Sequence, residues 1–161
     1  MINTLIVPES SIVGYGVGAI LITPKNEVLM QLRDDDVPIW FPGRWGLFGG
    51  AIDKGETPQK ALIRELYEEI NINVSEPKYF TQVAFDARPW DGGIRGRFIY
   101  VVPINRRTAL GAKKNLKEGK DCTLISLEDL NKNKKILVPY DEFALKLYSA
   151  RDHLAETARR P

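Results

Sequence analysis

Three glutamates fall within five residues of a predicted helix: Glu65, Glu68 and Glu69, at spacings i, i+3 and i+4. These spacings place their carboxylates on one side of a helix. Such carboxylates repel one another by about 0.2–0.5 kcal/mol per pair in water, and by more beside an apolar surface. A hard divalent cation, Mg²⁺ above all, would satisfy three oxygen donors better than the neighbouring Arg64. The pattern favours a metal site, although for the glutamates alone a solvated helix face is the commoner interpretation.

The helix that carries these glutamates has clear ends. Thr57 suits the N-cap, Pro58 the first helical position, and Asn71 the left-handed position after the last turn at Ile70. Its apolar residues fall in one arc, which we expect to bury against a sheet: Leu62, Ile63, Leu66 and Ile70.

Strand-like segments precede and follow this helix without strict βαβ alternation, which predicts an α/β protein with a mixed sheet. They are Tyr15–Thr23, Glu27–Arg33, Tyr79–Asp86, Arg95–Pro103 and Cys122–Ser126. A shorter apolar segment, Trp45–Ile52, is broken by Gly49-Gly50, which indicates a close approach of backbone there.

The remaining segments are loops and helices. Asp34–Arg44 and the basic Lys113–Lys120 are predicted loops, and a short helix begins at Leu127–Leu130. A terminal helix is predicted over Tyr140–Ala158, with its apolar side formed by Phe143, Leu147, Ala150 and Leu154. Alternating glycines in and before the first strand, Gly14, Gly16 and Gly18, do not match a dinucleotide-binding fingerprint and indicate a crowded strand.

The segment Gly50–Ile72 resembles the Nudix box, G-x5-E-x7-R-E-U-x-E-E-x-G-U, in which U is apolar. Every specified position matches except the second glycine, which is Asn71 here. Asn is the next-best residue for the left-handed conformation, so we expect a small cost in stability and no loss of chemistry. The resemblance implies a Nudix fold, an α/β/α sandwich with a mixed central sheet, formed by a single domain over residues 1–161.

The resemblance also implies roles for the residues of the box. Glu65, Glu68 and Glu69 would bind Mg²⁺, which Mn²⁺ can replace, helped by a backbone carbonyl of Gly49 or Gly50. Arg64 would orient the glutamates through ion pairs, and Glu56 would support the loop.

The implied reaction is attack of water on phosphorus, with cations neutralising the diphosphate and lowering the pKa of a bound water. Glu65 and Glu69 are the candidates for the general base. Some relatives take this base from a loop outside the box, for which Glu118 and Asp121 are available. For both of these acids a solvated loop position is the commoner interpretation.

The substrate class is less firmly indicated. Arginines that flank the presumed cleft could bind phosphate, although arginines are mostly surface residues. We take Arg33, Arg44 and Arg95 as the substrate-binding candidates, with Arg88 and Arg97 left in reserve. The stretches Arg33–Asp36 and Trp40–Trp45 resemble relatives that cleave sugar nucleotides. A nucleoside diphosphate sugar or ADP-ribose-type substrate is therefore the first hypothesis.

Three alternatives stay open. They are a MutT-type (deoxy)nucleoside triphosphate pyrophosphatase, a non-catalytic nucleotide sensor, and an isomerase, for which Cys122 is poorly placed. Sensors usually lose box glutamates, and this chain keeps all of them.

Composition limits the partners. The net charge of +2 argues against nucleic acid, and the length of the apolar runs argues against a membrane span. The single cysteine and the absence of a signal-like pattern in Met1–Ser11 predict a cytoplasmic protein with a small-molecule nucleotide as its partner. Whether the chain forms a homodimer is left open.

Overall fold

The computed structural model describes residues 8–35, 39–89, 93–131 and 136–158; Asp36 of the stretch used above lies outside them. Six strands in these ranges form one sheet: β1 (Ile12–Ile22), β2 (Glu27–Leu32), β3 (Trp45–Gly46), β4 (Lys78–Asp86), β5 (Ile94–Pro103) and β6 (Asp121–Ser126). The helices are α1 (Pro58–Ile70), α2 (Arg106–Lys114), α3 (Leu127–Asn131) and α4 (Pro139–Ala158), and a 3₁₀ turn covers Glu9–Ser11.

The sheet is mixed, as predicted. Its order is β3-β2-β1-β5-β4, and β6 pairs with β2 outside this path. β1 and β5 are parallel along Gly14–Ile22, whereas β2 is antiparallel to β1, β3 and β6. The parallel pair is the feature that matters for function, since it places residues that are far apart along the chain side by side.

Helices cover both faces of the sheet, which confirms the α/β/α sandwich. On one face, Val17 and Leu21 of β1 pack against Leu62 and Leu66 of α1. On the other, Ile20 and Ile22 pack with α4 residues, including Ala144, Leu145 and Tyr148. The alternation of β1 side chains between the two cores follows from the period of two in a strand.

α1 has the predicted ends. Thr57 Oγ accepts a hydrogen bond from Lys60 N, and Asn71 adopts the left-handed conformation with φ 55°. Leu62, Leu66 and Ile70 are fully buried. Burial of each is expected to stabilise the fold by about 1.5–3 kcal/mol, which fixes the rotation of the helix and with it the direction of the glutamates.

Two sequence predictions about helices are wrong. Lys113 and Lys114 end helix α2, which begins after the N-cap Asn105, and were expected in a loop. The helix escaped notice because its buried residues are only the small Ala109 and Ala112.

On α4 the predicted apolar side is not the buried one. Phe143 is exposed, whereas Asp141, Ala144, Leu145 and Tyr148 are buried. The side chain of Leu154 lies outside the described part. α4 carries apolar residues on two sides, and the Asp141 carboxylate accepts a hydrogen bond from Leu47 N, which fixes the side that faces the sheet.

Candidate active site

The glycine pair Gly49-Gly50 lies against β1, beyond the end of the β1–β2 pairing. Val17 N donates to Gly50 O at 2.9 Å. Gly49 has φ +123°, and a Cβ there would lie 2.4 Å from Val17 O. Only glycine fits both the conformation and the space. The close backbone approach predicted from the sequence is confirmed.

Glu69 is joined directly to this pair. Its Oε2 accepts a hydrogen bond from Gly49 N at 3.0 Å, and the residue is 5% exposed. Burial, followed by the charge of Glu118, raises the pKa of Glu69 to about 8, against the opposing effect of the Gly49 amide. A carboxylate held this way is ready to accept either a proton or a cation.

Arg64 connects the other carboxylates of the box. Its Nε and Nη2 donate to the two oxygens of Glu56 at 3.1 and 3.0 Å. Its Nη1 donates to Glu65 at 2.8 Å and to Glu68 at 3.2 Å. The bidentate contact with Arg64 holds the pKa of Glu56 below its usual range. Arg64 therefore contacts two of the three predicted metal ligands and the predicted supporting residue.

The three glutamates do not form a ready-made cage. Within the described ranges, no three acidic, histidine or cysteine side chains converge as metal ligands do. Glu65 and Glu68 face Arg64, whereas Glu69 faces Gly49. Burial raises the pKa of Glu65, whose carboxylate lies 2.6 Å from the position of a Cβ on Gly50. The donors are all oxygens, and burial raises the pKa of two of the carboxyls, as expected where a hard cation would stabilise their ionised form.

A cavity of about 220 Å³ opens beside the glycine pair. Its lining combines three arginines, four aromatic residues, one acid and small residues of β1, β5 and the glycine pair: Arg33, Arg95, Arg97, Tyr15, Trp40, Phe85, Tyr140, Glu118, Gly14, Gly16, Gly96, Gly49, Gly50 and Ala51. Glu69 reaches the glycine pair from α1, and the charge of Arg97 acts on the same carboxyl by lowering its pKa.

The alternating glycines of β1 provide the space for two of the arginines. A Cβ on Gly14 would lie 2.3 Å from Arg95 Nη1, and one on Gly18 would lie 2.7 Å from Arg97 Nε. Larger residues at these positions would displace the guanidinium groups. The crowding inferred from the sequence is therefore caused by side chains of the neighbouring strand β5.

Aromatic rings hold the arginines in place. The Arg95 guanidinium lies 5.4 Å from the Trp40 ring centre, and that of Arg97 lies 5.3 Å from Tyr140. Phe85 connects the two rings, stacked on Tyr140 at 4.0 Å and edge-on to Trp40 at 5.9 Å. Alternating cations and rings form a wall suited to an anionic or planar ligand.

Of the predicted substrate-binding residues, Arg33 and Arg95 line the cavity, and Arg44 does not. Arg44 Nη1 instead donates to Leu137 O at 3.3 Å. Arg97, left in reserve in the sequence analysis, lies at the cavity.

The two loop acids differ as well. Glu118 lines the cavity, whereas Asp121 pairs with Lys113 at 2.8 Å. Cys122 is buried in the core, as expected. Tyr140 and Asp141 were missed altogether; the beginning of a helix was the only sequence signal at that position.

In the part of the chain that the structure describes, no helix is both long and apolar enough to cross a membrane.

Comparison with known proteins identifies the family. The model of the NUDIX domain matches residues 13–147. The chain is 45% identical over 51 residues to the dihydroneopterin triphosphate diphosphatase of Haemophilus influenzae, a match that covers 32% of this chain and 29% of that protein. This and two further curated relatives are matched over only 25–39% of their own lengths.

Solved structures share the fold at low sequence identity. The MutT protein of Methanosarcina mazei Go1 has a TM-score of 0.71 at 19% identity, covering 86% of this chain and 94% of that one. The NUDIX domain of Shewanella oneidensis NrtR, solved with ADP ribose, has a TM-score of 0.64 at 22% identity, covering 93% and 94%. With most of its length matched by the family model, this chain belongs to the NUDIX domain family.

Proposed function

We propose that this protein catalyses the Mg²⁺-dependent hydrolysis of the diphosphate linkage in a nucleoside diphosphate derivative, of the nucleoside diphosphate sugar or ADP-ribose type. One observation carries the proposal: the glycine pair that binds Glu69 of helix α1 also lines the cavity whose other wall consists of arginines and aromatic rings. The first can hold a cation and the second an anion, as a diphosphate substrate requires.

The residues at the glycine pair fit a magnesium ion. Glu65, Glu68 and Glu69 would hold it together with one backbone carbonyl. Gly50 O already accepts a hydrogen bond from Val17 N, which makes Gly49 the better candidate for that carbonyl. When bound, Mg²⁺ would neutralise the charge of the diphosphate and promote attack by water on phosphorus.

The other residues of the box act on the glutamates. Arg64 orients Glu65 and Glu68 through its Nη1, and Glu56 holds the opposite edge of the same guanidinium. Glu69, fixed by the Gly49 amide, and Glu65 are the candidates for the base that removes the water proton. Glu118 is a third acid beside the cavity, and its charge contributes to the raised pKa of both.

The opposite wall suits the rest of the substrate. Arg33 and Arg95 can bind phosphate oxygens, and Trp40 and Phe85 can stack on a planar group. A second groove, of about 640 Å³, adjoins this cavity and shares the Phe85 and Tyr140 rings with it. A substrate with a moiety at each end of its diphosphate would use both spaces, which favours a nucleoside diphosphate derivative.

The second candidate is hydrolysis of a nucleoside triphosphate. It is favoured by the 46% identity, over 44 residues, to a protein of Proteus vulgaris named 8-oxo-dGTP diphosphatase. A triphosphate places its whole anionic part at one end, so it would fill the cavity and leave the second groove empty.

The test is a release assay with Mg²⁺ on nucleoside diphosphate sugars, ADP-ribose and nucleoside triphosphates. It compares the wild type with Glu69→Gln and with Glu76→Gln, a change of an exposed glutamate outside the site. Hydrolysis in H₂¹⁸O followed by mass spectrometry locates the label on phosphate if water attacks phosphorus.

We expect the wild type and Glu76→Gln to hydrolyse one substrate class, and Glu69→Gln to lose most of the activity. Preferential cleavage of triphosphates would replace the first candidate by the second. Nucleotide binding without turnover by any of the three proteins would reject the enzyme and favour a sensor.

A further inference from the structure

A buried ion pair holds both backbone polar groups of one residue, Leu47, near the candidate site. Leu47 N donates to Oδ2 of Asp141 at 2.9 Å, and Nη2 of Arg97 donates to Leu47 O at 3.3 Å. Arg97 comes from β5 and Asp141 from the first turn of α4, so the residue between β3 and the glycine pair is fixed from two directions.

Fold stability alone gives little reason for this pair. Arg97 is 8% and Asp141 2% exposed, and Arg97 Nε lies 3.4 Å from Asp141 Oδ1. Among the described residues, neither of these two atoms has a hydrogen-bond partner that lies within 3.5 Å and has good geometry. Removing two charges from water costs about as much as their attraction returns, and apolar residues of similar volume often stabilise equally well. A pair kept at that cost is better explained by the geometry that it imposes.

Two glycines make the pair possible. A Cβ on Gly18 would lie 2.7 Å from Arg97 Nε, and one on Gly46 would lie 3.0 Å from Asp141 Oδ2. The Arg97 Nε is not the free end of a flexible chain, because the guanidinium beyond it contacts Leu47 O and the Tyr140 ring. Gly18 is therefore a position where one methyl group displaces the pair without removing either charge.

The residue held by the ion pair, Leu47, lies next to the candidate site in the chain. Leu47 is two residues before Gly49, whose N–H binds Glu69 and whose φ of +123° requires a defined approach to β1. We propose that Arg97 and Asp141 are positioning residues: they clamp Leu47 and so hold Gly49-Gly50 against the glutamates of α1. The inference rests on the proposed function only in taking the glycine pair as part of the active site.

The first experiment measures the clamp directly, without substrate or metal. The variants are the pair replacement Arg97→Met with Asp141→Leu, and Gly18→Ala. Arg106→Met is the matched control, since it removes an arginine from an exposed ion pair with Glu27. With ¹⁵N-glycine labelling, the 13 glycines give a short NMR spectrum in which amide exchange of Gly49 is followed.

We expect Gly49 exchange to rise about tenfold in both clamp variants and to stay unchanged in the control, while melting temperatures show that the variants are folded. If the pair replacement does not fold, Gly18→Ala alone carries the test. Unchanged Gly49 exchange in a folded clamp variant would overturn the proposal.

The second experiment separates positioning from substrate contact. Misplacing a group that supports metal ligands typically costs about 10–100-fold in metal affinity or activity. We therefore expect the clamp variants to lose that factor in kcat and in Mn²⁺ affinity measured by calorimetry, with KM changed less than about threefold.

A rise in KM alone, with kcat and Mn²⁺ affinity retained, would mean that Arg97 only contacts substrate and would also overturn the clamp. A wild type that neither hydrolyses nucleotides nor binds Mn²⁺ would instead reject the proposed function, and Gly49 exchange would still decide the clamp.

Discussion

The two walls of the candidate site are built in opposite ways. The acidic wall comes from the last turns of α1, where Arg64 binds Glu65 and Glu68 while Glu69 binds the Gly49 amide, and the side chain of Glu68 is more than half exposed. The basic wall comes from β5 and from the residue that follows β2: Arg95 and Arg97 lie in β5, Arg33 follows β2, and all three lie among aromatic rings.

We therefore expect the two walls to respond differently to single substitutions. On the acidic wall, one guanidinium contacts three carboxylates, so one change disturbs all of them. On the basic wall, Arg95 lies over the Trp40 ring and Arg33 donates to Trp40 O, so each uses a different part of Trp40 and changes at these two arginines should act separately. Arg97 differs from them, since it acts through the clamp on Leu47. We expect chemistry to fail in one step on the first wall and binding to weaken gradually on the second.

Replacing Arg64 with methionine should have the largest effect. Glu56, Glu65 and Glu68 lose their shared partner together, so we expect kcat to fall about 100-fold, with a smaller change in KM. Steady-state kinetics on the substrate identified in the release assay measures both. Arg88→Met, which removes an exposed pair with Asp86, is the control and should leave kcat unchanged. A loss below about threefold for Arg64→Met would contradict the linked acidic wall.

On the basic wall, Arg95→Met and Arg33→Met should each raise KM about tenfold and leave kcat nearly unchanged. A hydrogen bond between a charged group and phosphate contributes about 1.5–3 kcal/mol, and water that replaces the lost guanidinium compensates for part of this free energy. Arg44→Met is the matched control, because Arg44 does not line the cavity. The double variant should show the product of the two single effects. If Arg44→Met weakened binding as much as the others, the cavity would not be the substrate site.

The two loop acids give a smaller, sharper comparison. Glu118→Gln removes a charge that contributes to the raised pKa of Glu69, so the pKa of Glu69 should fall. The measurement is NMR of the labelled carboxyl carbon, on protein kept free of metal by a chelator. Asp121→Asn should not change this pKa, since Asp121 pairs with Lys113. We expect kcat of Glu118→Gln to stay within about tenfold of the wild type. A loss of about 100-fold or more would identify Glu118 as the general base in place of Glu65 and Glu69.

How far sequence alone predicts each wall follows from the same difference in construction. The acidic wall lies within one helix, whose cap, apolar arc and left-handed Asn71 depend on neighbouring residues, and the bounds of α1 were predicted correctly. Five of the six strands were also placed to within three residues at their ends, whereas β3 ends at Gly46, six residues before the end of the segment Trp45–Ile52. Local periodicity is sufficient for such elements.

The basic wall depends on contacts that no local pattern contains. Arg97 faces the cavity because β1 and β5 pair in parallel and place it opposite Gly16, 81 residues away along the chain. Asp141 reaches Leu47 only because α4 turns a side to the sheet that its apolar pattern did not predict. Arg44 shows the converse, since it is close in sequence to the cleft and its side chain points elsewhere. Register and helix rotation are tertiary properties, which local sequence patterns do not contain.

The last prediction concerns stability, and it measures how much burial of the Glu69 carboxyl destabilises the folded protein. Between its usual value of 4.5 and about 8, the folded protein keeps Glu69 protonated while the unfolded chain does not. The folded state therefore binds more protons, and the free energy of unfolding falls as pH rises through this window.

Glu69→Gln cannot ionise and retains an oxygen for the Gly49 amide. In chelator, we expect the variant to melt at the same temperature as the wild type near pH 4.5, and several degrees higher at pH 8.5. Glu76→Gln should show no such trend, and Mg²⁺ should reduce the difference by stabilising the charged wild type. A difference that is constant with pH would mean that Glu69 is not held protonated, and that the acidic wall is less desolvated than its burial indicates.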